Sequence, residues 1–110
     1  MRKASFRKEK LSELLAHLAA MFIEGESNRT TLITVTGAII SNNQQRAKIL
    51  FTVLPEREEV SVSEFLNRKK KDFQGFIDKH ARIGRMPTIE FAVDWGEKNR
   101  QKIDFLSGGS

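Results

Sequence analysis

The spacing of apolar residues changes period several times along the chain, and this restricts the possible folds more than any single motif does. Residues 11–22 place Leu, Met and Phe at the intervals of one helical face. Residues 30–40 and 46–54 are rich in β-branched side chains and alternate as strands do. Helical spacing returns over residues 62–81, and residues 88–95 alternate again. The sequence therefore predicts the order helix, strand, strand, helix, helix, strand.

Turn-forming residues suggest where the first three elements begin and end. The first helix should run from about Ser5 to Ile23, with Gly25 as its stop. A strand should begin near Thr30, and SNNQQ at residues 41–45 is typical of a turn. The first strand should place these residues on one face: Ile33, Val35, Gly37 and Ile39. One face of the second strand should carry Ala47, Ile49, Phe51 and Val53. A hairpin is the simplest interpretation.

Two signals delimit the second helical region. Ser61 and Glu64 form the S-x-x-E pattern, in which the two side chains cap a helix start reciprocally. Pro87 prevents the helix from continuing. The apolar spacing continues through Gly75, although glycine inside a helix costs about 1 kcal/mol relative to alanine. We therefore expect a kink or a tight helix–turn–helix at Gly75, where another backbone could approach closely. That backbone is either a phosphodiester or a neighbouring helix or strand.

The element order indicates an α+β domain with one layer of helices on a three-stranded sheet. The third strand should place these residues on one face: Ile89, Phe91, Val93 and Trp95. A chain of 110 residues suffices for one domain, expected over residues 1–106, with a disordered tail at 107–110. The chain has no Cys, which excludes disulfides and thiolate metal sites, so a cytoplasmic location is expected.

The net charge of +5 is concentrated in two segments. Residues 1–10 contain five Lys or Arg and one Glu, and residues 65–85 contain seven basic and two acidic residues. Such segregation indicates a polyanionic partner, although solvated lysine faces produce it too. Lys69 falls on the apolar face, so its stem should pack while its ammonium reaches solvent. The candidate RNA-binding residues flank the predicted junction or form it: Arg68, Lys70, Lys71, Gly75, Lys79, Arg82 and Arg85.

Catalytic motifs are not apparent. The two histidines, His17 and His80, have no metal-ligand spacing, and the acidic pair Glu58 and Glu59 lies in a polar turn. The sequence contains no phosphate-binding loop and no nucleophile elbow. We therefore expect no enzyme, no metal site and no cofactor.

Four segments resemble the ribosome-binding factor A family over roughly Arg7 to Leu106. They are the first helix KEKLSELLAHLAAMF, the hairpin LITVTGAIISNNQQRAKILFTVL, the segment FQGFI and the third strand RMPTIEFAVDW. The resemblance implies a type II KH-like domain with the order helix, strand, strand, helix, kink, helix, strand. It also implies that Phe73, Gln74 and Gly75 occupy the family's kinked A-x-G, with Phe73 where the family has a small residue. The hairpin turn departs from the usual S-P-D, and Glu90 stands where the family often has a basic residue.

The resemblance further implies binding to the immature small (30S) ribosomal subunit and assistance in 5′-end processing of 16S rRNA, often in the cold. The expected protein is a monomer that contacts rRNA and needs neither a membrane nor a small-molecule substrate. A generic KH-like module for single-stranded nucleic acid is an alternative, although such modules usually carry G-x-x-G. A third hypothesis is a protein-interaction domain whose basic surface meets acidic partners.

Overall fold

The computed structural model describes residues 2–26 and 30–108, with side chains described over 7–26 and 30–103. Along the chain the elements are α1 (Arg2–Glu26), β1 (Leu32–Ile40), β2 (Arg46–Leu54), a 3₁₀ turn (Glu56–Glu58), α2 (Glu59–Arg68), α3 (Lys70–His80), β3 (Thr88–Val93) and α4 (Trp95–Gly108). The predicted order is confirmed through β3. The 3₁₀ turn and α4 were not predicted.

The three strands form one mixed sheet in the order β1-β2-β3. β1 and β2 pair antiparallel as the predicted hairpin, whereas β2 and β3 pair in parallel. A parallel pair requires a crossover connection, and α2 and α3 supply it across one face of the sheet. Because the connection is helical, the same residues that join the strands also cover the apolar face.

The core lies between this face and helices α1, α2 and α3. The predicted inward residues of β2 are all buried, which confirms the alternation there: Ala47, Ile49, Phe51 and Val53. Three phenylalanines join the layers, since the Phe73 ring centroid lies 5.3 Å from that of Phe22 and 5.5 Å from that of Phe91. Tilted ring pairs at such distances stabilise beyond the burial of their area. The helix-on-sheet arrangement is therefore held by side chains from α1, α3 and β3.

A β-bulge in β1 overturns part of the predicted alternation. Val35 pairs with Phe51 and Gly37 with Leu50, so Thr36 is an extra residue without an opposing partner. An inserted residue reverses the faces of everything after it. Ile39 is consequently 57% exposed, and its neighbour Ile40 is buried at 2%. The prediction that Ile39 shares the inward face was wrong for this reason.

Two predicted helix boundaries were also wrong. α1 continues past Gly25 to Glu26. α2 begins at Glu59, and the residue at its N-cap position is Glu58, whose side chain makes no capping hydrogen bond. Ser61 therefore lies inside the first turn and does not cap the helix. The 3₁₀ turn directly before α2 moves the helix start towards Pro55, because Glu58 N–H already donates to the Pro55 carbonyl at 3.0 Å. The S-x-x-E pattern therefore has another position in the helix than expected.

The junction between α2 and α3 is at Lys69, six residues before the predicted place. Lys69 has φ −96° and ψ 11°, and its N–H donates to the Leu66 carbonyl at 3.0 Å. α3 then runs from Lys70 to His80 directly through Gly75. The prediction of a kink at Gly75 and the placement of the A-x-G pattern on Phe73, Gln74 and Gly75 were therefore wrong. The cost of one internal glycine is too small to interrupt a helix whose neighbours Phe73 and Ile77 are fully buried.

The chain after β3 differs most from expectation. β3 ends at Val93, and Trp95 is 59% exposed at the start of α4, so Trp95 does not continue the strand face. Asp94 begins the helix by accepting a hydrogen bond from the Glu97 N–H at Oδ1, at 2.9 Å. The backbone of α4 reaches Gly108, and residues 109 and 110 lie outside the described residues. The proposed disorder of residues 107–110 stays a prediction.

Candidate nucleic-acid interface

Asn67, near the end of α2, fixes the helix junction against β3. The N–H of Thr88, the first residue of β3, donates to the Gln45 carbonyl just before β2, and the N–H of Asp94, just after β3, donates to the Phe51 carbonyl. The intervening odd-numbered residues of β3 therefore direct their backbone groups to the free edge. At this edge, Asn67 Nδ2 donates to the Phe91 carbonyl and Oδ1 accepts from the Phe91 N–H, both at 3.1 Å. Asn67 Nδ2 also donates to the Ser63 carbonyl at 2.8 Å. The side chain thus replaces a neighbouring strand, and it sets the position of Lys69 and Lys70.

An open groove of about 610 Å³ lies beside this junction. It is bounded by the start of β2, the start of β3 and the junction itself. We call it the basic groove, and its polar lining includes Ser41, Arg46, Lys48, Asn67, Lys70 and Glu90. Lys48 lies opposite Glu90 in the register of the parallel strands β2 and β3. Three cations against one carboxylate leave the groove with a formal charge of +2, which favours an anionic ligand.

The groove also has an apolar wall. Ile39, turned outward by the bulge in β1, lines it with 57% of its surface exposed. Ala47 and Ile89 lie at the base, and both are buried. The lining cations and the exposed side chain of Ile39 can together receive phosphates and the face of an unstacked base.

The basic N-terminal segment reaches the same end of the sheet. Lys8 Nζ donates to Asn42 Oδ1 at 3.0 Å, and Ser12 Oγ donates to the Ala38 carbonyl at 2.5 Å. These bonds hold α1 beside the hairpin turn that precedes Arg46. The turn is itself ordered, because Ser41 Oγ accepts from the Arg46 N–H at 3.0 Å. Lys8 from the first basic segment and Lys70 from the second therefore both lie near the hairpin turn.

The predicted site residues do not form one surface. Lys70 lines the basic groove, whereas Arg68 lines a separate groove with Ile33 and Phe65 near the start of β1. Since β1 starts where the antiparallel β2 ends, Arg68 lies towards the opposite end of the sheet from Lys70. The candidate cations around the junction therefore do not form one continuous row. Whether Arg68 contacts RNA stays a prediction.

The remaining predicted residues occupy the outer face of α3 and the segment that follows it. Lys71, Gly75 and Lys79 are exposed on α3. Arg82 and Arg85 are exposed between α3 and β3, on either side of Gly84, which has φ +75°. Lys69, predicted to pack its stem, lies with Nζ 5.7 Å from the Phe65 ring centroid and 3.7 Å from Asp72 Oδ2.

Arg46 and Lys48 were missed by the sequence prediction. Their signal was present, because they alternate with the buried Ala47 and Ile49 and must point away from the helix layer. Asn67 had no local signal, since its main partner Phe91 is 24 residues away. The bulge that exposes Ile39 was equally invisible in the alternation.

Among the residues that the structure describes, neither histidine takes part in a ligand-like cluster. His80 Nδ1 is 2.8 Å from the Phe76 carbonyl, and its ring stacks on Phe76 with centroids 4.1 Å apart. Over residues 2–26 and 30–108 there is no group of three or more His, Cys, Asp or Glu residues that could hold a metal ion. In the same part of the chain, no helix combines the length and apolar character needed to cross a membrane.

The chain is similar in sequence to ribosome-binding factors. A family model described as Ribosome-binding factor A matches residues 7–107. A ribosome-binding factor A of Coxiella burnetii is 23% identical over 104 residues, covering 93% of this chain and 87% of the relative. That of Thermodesulfovibrio yellowstonii is 29% identical over 99 residues, covering 90% of this chain and 79% of the relative.

Solved structures are similar as well. Ribosome-binding factor A from Thermus thermophilus gives a TM-score of 0.68 at 21% identity, covering 78% of this chain and 94% of that one. A Thermotoga maritima protein identified as a candidate ribosome-binding factor A gives 0.59 at 24% identity, covering 84% and 87%. The predicted α+β, KH-like arrangement is thereby confirmed. Because the family model spans residues 7–107, nearly all of the described structure, the chain belongs to the ribosome-binding factor A family.

Proposed function

We propose that this protein binds the immature 30S subunit and assists maturation and 5′-end processing of its 16S rRNA. Family membership implies a ribosome-associated role. The observation that supports the finer proposal is the basic groove, which Arg46, Lys48 and Lys70 line together with the exposed Ile39. The protein acts in the cytoplasm as a monomer, without a cofactor and without catalysing a reaction, and its contribution is greatest in the cold.

The groove suits structured RNA because its cations come from separate, rigid elements. Arg46 and Lys48 project from a central strand, and Lys70 projects from the first turn of α3. Contacts of Lys and Arg with phosphates supply affinity and orientation but carry no direct sequence information. We therefore expect the protein to recognise the shape of an rRNA segment, with the basic N-terminal segment beside Asn42 extending the contact.

The proposal is tested by recovering RNA with the tagged protein from its host. The wild type should enrich precursor 16S rRNA over the mature form. Arg46→Glu combined with Lys70→Glu should lose this enrichment. Lys70→Glu is compatible with the fold, because an acidic residue in the first turn of α3 interacts favourably with the helix dipole.

A matched control carries the same change in charge outside the groove. Arg57 and Lys102 are exposed and do not line the groove. Arg57→Glu combined with Lys102→Glu should therefore keep the enrichment, once thermal unfolding has shown that both double variants are folded. If both double variants lose the enrichment of precursor 16S rRNA equally, the loss is explained by net charge alone, and the proposal that the groove binds RNA loses its support.

The second candidate function is a generic KH-like module for single-stranded nucleic acid. The exposed Ile39 beside the groove cations favours it, since an unstacked base can lie on that wall. The two functions differ in the size of the preferred ligand. Binding of a short oligonucleotide as tightly as the precursor subunit would support the generic module.

A further inference from the structure

The free edges of the two outer strands are closed by side chains at some positions and open at others. At β3, Asn67 bonds both backbone groups of Phe91. Towards the end of β1, Ser12 Oγ donates to the Ala38 carbonyl. Such covers matter because an open strand edge can pair with another chain.

The open part of β1 lies before its bulge. The Asp94 N–H donates to the Phe51 carbonyl, so Phe51 directs its backbone groups to β3. Its antiparallel partner Val35, and Ile33 two residues earlier, therefore direct theirs away from β2 to the free edge. Within the described part of the chain, these edge-facing groups make no hydrogen bond. Each of the two residues thus leaves one N–H and one C=O for a partner.

An open groove of about 920 Å³ follows this edge, and we call it the edge groove. Residues 30–35 form part of its lining, and α1 contributes Ala20, Ile23 and Glu24. Residues 30–35 span about 20 Å when extended, so the groove can hold a short strand. Leu32 lines it with 60% of its surface exposed, which leaves an apolar contact for such a strand.

The charged residues around the edge groove are mainly acidic. Glu24 lines it, and an adjoining groove, which shares Ile33 with it, is lined by Glu26, Glu58 and Arg68. Among the described residues, three carboxylates against one guanidinium give the two grooves a formal charge of −2, opposite to that of the basic groove. The edge groove therefore favours a cationic ligand.

The edge groove is separate from the basic groove. β1 and β3 are opposite edges of the sheet. Along β1, Val35 lines the edge groove and Ile39 lines the basic groove. The distance along the strand between these two residues is about 13 Å. The two grooves can therefore hold different ligands.

We infer that the edge groove binds a basic, extended peptide of a partner protein, which adds to the sheet as a strand beside β1. The peptide backbone pairs with Ile33 and Val35. Apolar side chains on one face of the peptide pack beside Leu32, and Lys or Arg side chains on the other face lie near Glu24. The bulge at Thr36 ends the straight part of the edge, so the paired segment is short. This inference does not depend on the proposed binding of rRNA.

Capped peptides of about seven residues, the length of an ordinary strand, are the probes. The first alternates valine with lysine, and the second alternates valine with glutamate. The third is the valine–lysine peptide with N-methyl groups on its lysines, whose N–H groups would face Ile33 and Val35. Only the first should bind, because the second is repelled and the third cannot donate to the edge. Fluorescence anisotropy of the labelled peptides measures the affinities.

Hydrogen exchange locates the contact. The Ile33 and Val35 amides should exchange rapidly in the free protein, since they have no acceptor. Their exchange should slow by roughly tenfold when the valine–lysine peptide is present at about ten times its Kd. A peptide held by charge alone would leave both rates unchanged.

Glu24→Lys tests the charge of the groove. It should weaken binding of the valine–lysine peptide by roughly fivefold, because attraction becomes repulsion. The change is compatible with the fold, since a cation near the end of α1 interacts favourably with the helix dipole. Glu64→Lys is the matched control, because Glu64 is exposed on α2 and lines neither groove. It should bind the peptide as the wild type does.

Each alternative result overturns the inference. The valine–lysine peptide fails to bind, or it binds without slowing exchange at Ile33 and Val35. The valine–glutamate peptide binds equally well, so the ligand is not basic. Both amides exchange slowly in the free protein and sedimentation shows a dimer, so a second copy covers the edge. Arg46→Glu combined with Lys70→Glu should bind the peptide normally, so failure of the proposed function is distinguishable from failure here.

Discussion

Asn67 bonds both backbone polar groups of Phe91 from the side of β3 that has no neighbouring strand. The contact connects the end of α2 to the strand edge, and Lys70, three residues later, lines the basic groove. One amide side chain therefore positions the helix junction. The contribution of its hydrogen bonds to stability can be measured separately from the contribution of the cations to binding.

Asn67→Ala should lower the free energy of unfolding by about 1–3 kcal/mol, because Phe91 N–H and C=O lose their partners. Urea titration measures this change. Asn99→Ala, at an exposed position of α4, should change it by less than about 0.5 kcal/mol. The prediction is contradicted if the two variants are equally stable. Asn67→Ala should also weaken binding of precursor rRNA, because Lys70 loses its fixed position beside the groove.

Asp94 links the bulge in β1 to the start of α4. Its carboxylate accepts hydrogen bonds from Thr36 Oγ1 and from the Glu97 N–H, and these lower its pKa from the ordinary value of 3.8, the Thr36 bond most strongly. A lowered pKa in the folded state means that the stabilisation is complete above the unfolded pKa and is lost as pH falls through the folded value.

We therefore expect the Tm of the wild type to fall more steeply below about pH 4 than that of Asp94→Asn, since the amide keeps a capping oxygen but does not titrate. Thermal scans between about pH 3 and pH 7 measure the difference. Thr36→Val should reduce the acid sensitivity, because it removes the largest cause of the pKa shift. Parallel pH profiles for wild type and Asp94→Asn would refute the assignment.

Lys98 fastens α4 to the region before and at the start of α2. Its Nζ lies 2.7 Å from Glu59 Oε2, 3.2 Å from Glu56 Oε1 and 4.4 Å from the Trp95 ring centroid. The Glu59 bond is the main reason why the pKa of Lys98 is raised. Lys98→Met should leave the core intact and increase hydrogen exchange in the first turns of α4. Lys102→Met, on the same helix, should not. Trp95 is the only tryptophan, so its fluorescence should shift in Lys98→Met alone.

The salt dependence of binding counts the phosphates held by the basic groove. Arg46, Lys48 and Lys70 can each neutralise one phosphate. Log affinity for precursor rRNA should thus fall with log salt, and Arg46→Gln combined with Lys70→Gln should reduce the slope by roughly 1.4 to 1.8. Filter binding over a salt series measures both slopes. An unchanged slope in the double variant would place the phosphates elsewhere.

The sequence predicted those parts of the fold in which one pattern dominates. The alternation in β2 located its buried face, because β2 lies between two strands and one side faces only helices. The junction was misplaced because Val62, Leu66, Phe73 and Ile77 keep a helical phase on both sides of a break at Lys69. Apolar spacing cannot distinguish that break from a continuous helix. The kink was predicted at Gly75 because glycine disfavours helix, but α3 is continuous there.

The candidate site was predicted only in part, for a similar reason. Lys70 was found from the local density of charge, but Arg46 and Lys48 become its neighbours only through the parallel pairing of β2 with β3. Asn67 and Phe91 are brought together by the same crossover. Contacts that depend on the register of distant segments leave no trace in a local pattern.

Ser61→Ala distinguishes the structure from the sequence pattern directly. If Ser61 capped α2, its removal would lower the free energy of unfolding by about 1 kcal/mol. The structure instead places Ser61 exposed inside the helix that begins at Glu59, where alanine is the better helix former. We expect the variant to be as stable as the wild type or slightly more stable in urea titration. Asn67→Ala in the same helix is the positive control, and a loss of about 1 kcal/mol in Ser61→Ala would move the helix start back to Ser61.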